Sequence, residues 1–136
     1  MTPAKAVPQP TPETLPYWEA ARRGELCLPR CTACDAFFFY PRPFCPTCHG
    51  TDIEWRQVSG RGRLHTYLIN HRPAPGFQQE APYVIAIVEL EEGPRMMSNL
   101  VGVEPTPEAL PLDLPLTVEF AERGEWKVPV FRPVAP

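Results

Sequence analysis

Several things are missing from this sequence, and each absence removes a class of function. No apolar run approaches the roughly 18 residues a membrane span requires, and the N-terminus lacks the apolar stretch of a signal peptide. The expectation is therefore a soluble, cytoplasmic chain with no membrane partner. Catalytic signatures are missing too: there is no GxSxG, HExxH, phosphate loop or dinucleotide fingerprint. His49, His65 and His71 have no evident nucleophile beside them, and a lone histidine in a strand is usually structural. Catalysis by the chain itself is not expected. Positive charge is also scarce, with 13 Lys and Arg against 16 Asp and Glu and a formal net charge of −3. That balance argues against a general nucleic-acid surface. No internal repeat is visible.

What the chain has in excess is proline, 20 among 136 residues, roughly three times average usage. Pro3, Pro8, Pro10, Pro12 and Pro16 precede Tyr17, so residues 1–13 read as a disordered or extended arm. The remainder is the size of one domain, or of a small domain with an appended module. Residues 14–24 read as a short helix, Leu15 to Arg23: Thr14 is placed to cap it, Pro16 suits its first turn, Arg22 and Arg23 its last, and Gly24 its end. About nine residues are too few to hold a helix in water alone, so Leu15, Tyr17 and Trp18 should dock on this chain or on another.

Residues 25–52 carry the strongest signal. Cys31 and Cys34 form one CxxC pair, and Cys45 and Cys48 form a second after ten intervening residues. A two-residue gap lets a tight turn aim two sulfurs at one metal, and two such turns close a tetrahedron. Zinc is the expected ion, with iron or a pair of disulfides as alternatives. Four thiolates leave no open coordination position, which makes one structural ion per chain the expectation. Loading it takes the formal charge to about −5. Asp35 and Gly50 stand where such turns call for positive φ. Cys27, between Leu26 and Leu28, reads as a packing residue.

From Ile53 the periodicity becomes that of strands, and 53–134 read as one barrel domain. Five are expected: Glu54 to Ile69 with a kink at Gly60 and Gly62, Tyr83 to Glu91, Arg95 to Val103, Leu116 to Ala121, and Trp126 to Phe131. Glu92-Gly93-Pro94 turns the second into the third, and Pro105 to Leu110 has room for one helical turn. This order describes an OB-type barrel and a mainly β chain.

Two surfaces carry more than one reading. Phe37, Phe38, Phe39 and Tyr40 lie between the cysteine pairs and would point to both faces of an extended segment. Either they pack between barrel and helix, or part of their surface, with Tyr17 and Trp18, belongs to a partner. Arg61, Arg63, His65 and Tyr67 alternate along the first strand and so share one face, with His71 and Arg72 beyond. That row is either a solvated strand face or a holder of phosphates.

The ordered series PYWEAARRGEL, LPRCTAC, FYPRPFCPTCHG, EWRQVSGRGRLHTY, APYVIAIVELEEG, SNLVGV and VPVFRP resembles the acyl-CoA-associated zinc-ribbon/OB-fold family, long catalogued as a domain of unknown function, over Thr14 to Pro133. The resemblance implies an N-terminal helix, a rubredoxin-like zinc ribbon and a C-terminal five-stranded OB-fold, with zinc on Cys31, Cys34, Cys45 and Cys48. It implies a non-catalytic accessory subunit in a hetero-oligomer with a thiolase-superfamily enzyme, a thiolase-like aldolase of steroid side-chain or lipid breakdown, or an acyl-CoA hydratase. It further implies that the barrel helps guide a CoA thioester shared with the partner, a role falling on Arg61, Arg63 and His65. The sequence departs from the family pattern at Asp35, where glycine is common, and at Pro111–Pro115, which lacks the usual glycine. A single-stranded nucleic-acid module and an acyl-CoA hydratase component stand as alternatives.

Overall fold

A computed structural model describes residues 5–134, so the first four residues of the expected arm lie outside the described residues. Helix α1, Leu15–Arg22, has Pro in its first turn and ends at Arg23, followed by Gly24 at φ +83°. Thr14 does not cap it with its side chain. The residues before the helix turn back on themselves, with Leu15 N donating to Thr11 O at 2.8 Å, and the buried Thr14 hydroxyl accepts from Thr11 N at 2.9 Å. Its oxygen is thus engaged upstream. Tyr17, Ala20 and Ala21 form the buried face of α1, which packs within this chain.

Strands β1, Cys27–Cys31, and β2, Ile53–Gln57, pair antiparallel from Cys27↔Gln57 to Cys31↔Ile53. The expected single bent strand Glu54 to Ile69 is therefore two strands in two sheets: β2 completes the ribbon, and β3, Arg61–Asn70, opens the barrel. The break lies where Gly60 takes φ +78°, and a Cβ there would sit 2.4 Å from Val118 Cγ1.

With β4 (Tyr83–Leu90), β5 (Arg95–Leu100), β6 (Pro115–Arg123) and β7 (Trp126–Pro133), β3 closes a barrel in the order β3-β4-β5-β7-β6. A single 3₁₀ turn, Pro107–Ala109, precedes β6. The core holds Leu64, Val84, Ala86, Val88, Leu116 and Phe131. In β4 every second residue is buried, and its outward residues are half-buried.

The alternation of β3 is broken. Its register against β4 shifts between Leu64 and Thr66, which leaves His65 as a bulge. A one-residue slip moves every later side chain to the opposite face. Tyr67, expected beside Arg61 and Arg63, instead packs on the core, and Leu68 is turned outward at 53% exposure.

Gly62 lies where β3 crosses β4, and a Cβ on it would meet Glu89 O at 2.6 Å and Val88 Cγ1 at 2.9 Å. Backbone cannot yield there without loosening the barrel. Gly62→Ala should lower stability by about 2 kcal/mol, read as a lower denaturant midpoint at unchanged slope; an unshifted midpoint would show that the strands move apart freely.

Candidate metal centre and docking face

The cysteine turns are two copies of one device. In the first, Cys31 N donates to Ala36 O at 2.9 Å; in the second, Cys45 N donates to Gly50 O at 2.8 Å. The residue after each CxxC is left-handed, Asp35 at φ 62° and His49 at φ 64°. Positive φ thus falls on His49 rather than on Gly50. Gly50 serves closeness instead, since a Cβ there would lie 3.3 Å from Cys48 Sγ and 3.8 Å from Cys31 Sγ. Asp35 is held by an ion pair with Arg30, which also donates to Glu54 of β2 at 2.7 Å. In the segment Pro111–Pro115, Asp113 supplies a left-handed residue at φ 65°.

The four sulfurs lie within 4.8 Å of one another, with Cys31 and Cys48 at 3.5 Å and Cys34 and Cys45 at 3.6 Å. A tetrahedral dication with bonds of about 2.3 Å needs sulfurs about 3.8 Å apart, so the quartet fits one. The amides of Cys48 and Thr47 point at Cys45 Sγ and hold that thiol down to about 6. Cys34 is drawn down by the amide of Ala36, yet the neighbouring sulfurs push it up to about 12. Four thiolates this close cannot all ionise without a cation between them. Cys27 lies outside the cluster at the far end of β1, half-buried, its thiol pushed up by burial.

Around the sulfurs the ribbon has little core of its own: Phe38 packs on Cys31 and Cys45, with Ile53 at the side. Phe38 is 5% exposed and Tyr17 is 2% exposed, so these two of the six aromatics expected at an interface are interior residues of this chain. Tyr17 joins helix to ribbon, its ring 5.7 Å from that of Phe39 and 6.2 Å from that of Tyr40. Trp18, Phe37 and Phe39 are half-buried, whereas Tyr40 and Phe44 are exposed by 42% and 43%. The aromatic surface left for another molecule is therefore centred on Tyr40, beside Trp18 and Phe39.

The basic row is not free. Arg61 pairs with Glu91 at 3.0 Å, and Arg63 pairs with Glu89 and, at 3.6 Å, with Asp113. Glu89 also takes Arg95 at 3.3 Å, so carboxylates on β4 neutralise the arginines beside them. Each carboxyl is held below its usual range by that arginine. A phosphate held there would have to exchange with these exposed pairs. His65 stands exposed on the bulge. Sequence reasoning missed the outward Leu68, because alternation cannot show a bulge.

Comparison with known proteins bears on this arrangement directly. Residues 18–54 match the rubredoxin-like zinc ribbon domain of ChsH2, and residues 55–121 match its C-terminal OB-fold domain. A DUF35 domain-containing scaffold protein of Methanothermobacter thermautotrophicus is 40% identical over 95 residues, covering 68% of this chain and 71% of its own. The chain belongs to the ChsH2 (DUF35) family. A probable enoyl-CoA hydratase alpha subunit of Thermomonospora curvata is 38% identical over 122 residues, 88% of this chain. This chain spans only 37% of that relative's length. Among solved structures, a chain of the Ltp2-ChsH2(DUF35) aldolase superposes with a TM-score of 0.83 at 34% identity, covering 95% of this chain and 100% of that one. A DUF35 protein of Sulfolobus solfataricus, 12% identical with a TM-score of 0.62, shares the fold.

If the sulfur quartet holds the ribbon together, Cys31→Ser should release the ion and unfold the ribbon, reducing soluble yield. Metal analysis and near-UV dichroism check this, and a metal-free variant with an intact ribbon would refute it.

Proposed function

We propose that this chain is a non-catalytic accessory subunit, pinned by one structural zinc, that docks on a thiolase-superfamily enzyme or thiolase-like aldolase acting on acyl-CoA. The observation that carries the reading is the superposition over the full length of a chain of the Ltp2-ChsH2(DUF35) aldolase. The geometry supports it. A closed four-sulfur centre has no position for substrate, the three histidines are all exposed, and the ribbon presents apolar rings to solvent beside a barrel with outward Leu68 and Met97. Surface of this kind suits a protein interface, which at standard size takes about 800 Å² from each partner. Cysteines used in pairs as metal ligands rather than as disulfides support a cytoplasmic complex.

The likeness to a hydratase alpha subunit favours a second partner class, an acyl-CoA hydratase subunit, on the same face. A nucleic-acid groove gains no support, since Arg61 and Arg63 of the basic row already pair with Glu91 and Glu89. In this reading the CoA thioester passes beside the barrel, and Arg61 and Arg63 contact its phosphates only by exchanging Glu91 and Glu89 for them, with His65 alongside.

Co-expression with the enzymes encoded beside the gene, followed by mass analysis of the purified complex, tests the assignment. Tyr40→Asp should weaken binding of that enzyme at least tenfold with the melting temperature unchanged. Phe38→Asp should instead unfold the ribbon and release its metal. Recovery of a monomer in every pairing, or turnover of a CoA ester by the chain alone, would overturn the reading.

A further inference from the structure

The two turns that carry the sulfurs form the outer end of the ribbon. Residues 32–35 and 46–49 are exposed throughout, so Cys34 and Cys48 stand at the surface while Cys31 and Cys45 are buried. Phe38 packs against the buried two. Each exposed cysteine meets a buried one across the turns, Cys48 with Cys31 at 3.5 Å and Cys34 with Cys45 at 3.6 Å between sulfurs. Sulfurs in contact can attack one another without the chain first rearranging.

The two pairs are not equivalent. Cys45 Sγ accepts from the amides of Thr47 and Cys48 at 3.3 and 3.5 Å, and such bonds draw charge from a thiolate and blunt it as a nucleophile. Beside the other pair there is a gap. Gly50 is half-buried, and a Cβ on it would lie 3.3 Å from Cys48 Sγ and 3.8 Å from Cys31 Sγ. A side chain there would cover both sulfurs, whereas glycine leaves the approach open to a small molecule. Conformation does not require glycine at this position, since the positive φ of the turn falls on His49.

We propose that Cys48 and Cys31 are a site of oxidation by hydrogen peroxide, which enters beside Gly50 and opens the ribbon. The Cys48 thiolate attacks one peroxide oxygen and the O–O bond breaks. Sulfur keeps that oxygen as a sulfenic acid, and the other leaves as hydroxide. The Cys31 thiolate then attacks Cys48 Sγ, the S–O bond breaks, and a second hydroxide departs. Two sulfurs have lost two electrons to one peroxide, and a disulfide joins them. The ribbon is left with two of its four thiolates, too few to hold the ion. With so little apolar interior of its own, it loosens, and the loop bearing Phe39 and Tyr40 loosens with it. Release of the partner on oxidation rests on the docking reading above; the thiol chemistry does not.

The test treats the full, zinc-loaded chain with hydrogen peroxide. It reads zinc release with a chromogenic chelator, intact mass after free thiols are blocked, and the position of the disulfide by peptide mapping. One zinc should be released for each disulfide formed, the first disulfide should join Cys31 to Cys48, and a dithiol with added zinc should restore the starting state. Gly50→Ala, loaded with one zinc and melting as the unaltered chain does, should release it at least fivefold more slowly. A first disulfide between Cys34 and Cys45, zinc lost with no disulfide formed, or an unchanged rate in zinc-loaded Gly50→Ala overturns the inference. Should Gly50→Ala fail to load, the mapping on the unaltered chain decides alone. The complex from the co-expression experiment, treated alike, should dissociate in step with zinc release. A Cys31–Cys48 disulfide in a complex that stays assembled upholds the thiol pair and fails the docking reading.

Discussion

Four sulfurs held within 4.8 Å of one another are the constraint on which the N-terminal half of this molecule depends. Apart from the sulfurs of Cys31 and Cys45, the ribbon interior contains Phe38 and an edge of Ile53, far less apolar surface than a self-standing fold requires. A dication bound by the quartet would supply what the side chains cannot, because binding energy in such small domains is folding energy, of order 10 kcal/mol. Everything that touches the ribbon inherits its rigidity. Tyr17 reaches the loop after the first turn, while α1 also lies against β7, with Arg22 over the Trp126 ring.

That dependence explains the division of labour among adjacent aromatics. Phe38 points to the sulfurs and Phe39 to Tyr17, while Tyr40 rests one edge on the Tyr17 and Phe39 rings and exposes the rest. Their sequence identities are nearly equivalent, and only the path of the chain separates core from surface. An acid at Phe38 strikes the metal site, whereas one at Tyr40 strikes only what lies outside.

Features fixed by local chemistry were legible in the sequence. The paired CxxC turns, the glycine that ends α1, the hairpin at Gly93 and the five barrel strands follow from spacing and turn preference, and the structure has them. Features fixed by register were not. The bulge at His65 leaves no mark in the alternation of Arg61, Arg63, His65 and Tyr67, yet it sends Tyr67 inward and Leu68 outward. The split of Glu54–Ile69 depended on β2 finding β1, a contact between residues more than twenty apart in the chain. The arginine row was legible as charge but not as pairing, because Glu89 and Glu91 come opposite it only once β3 and β4 are aligned.

The neutralised arginines limit what the barrel can attract. Arg61, Arg63 and Arg95 face carboxylates on the neighbouring strand, so the outer barrel offers little net positive field and steers no polyanion. Arg123 lies beyond that ladder, on β6 and over Phe77. Several of the barrel's cations are thus spent on intrachain partners. Exposed apolar side chains, Tyr40 and Met97, stand where ribbon, helix and β5 converge.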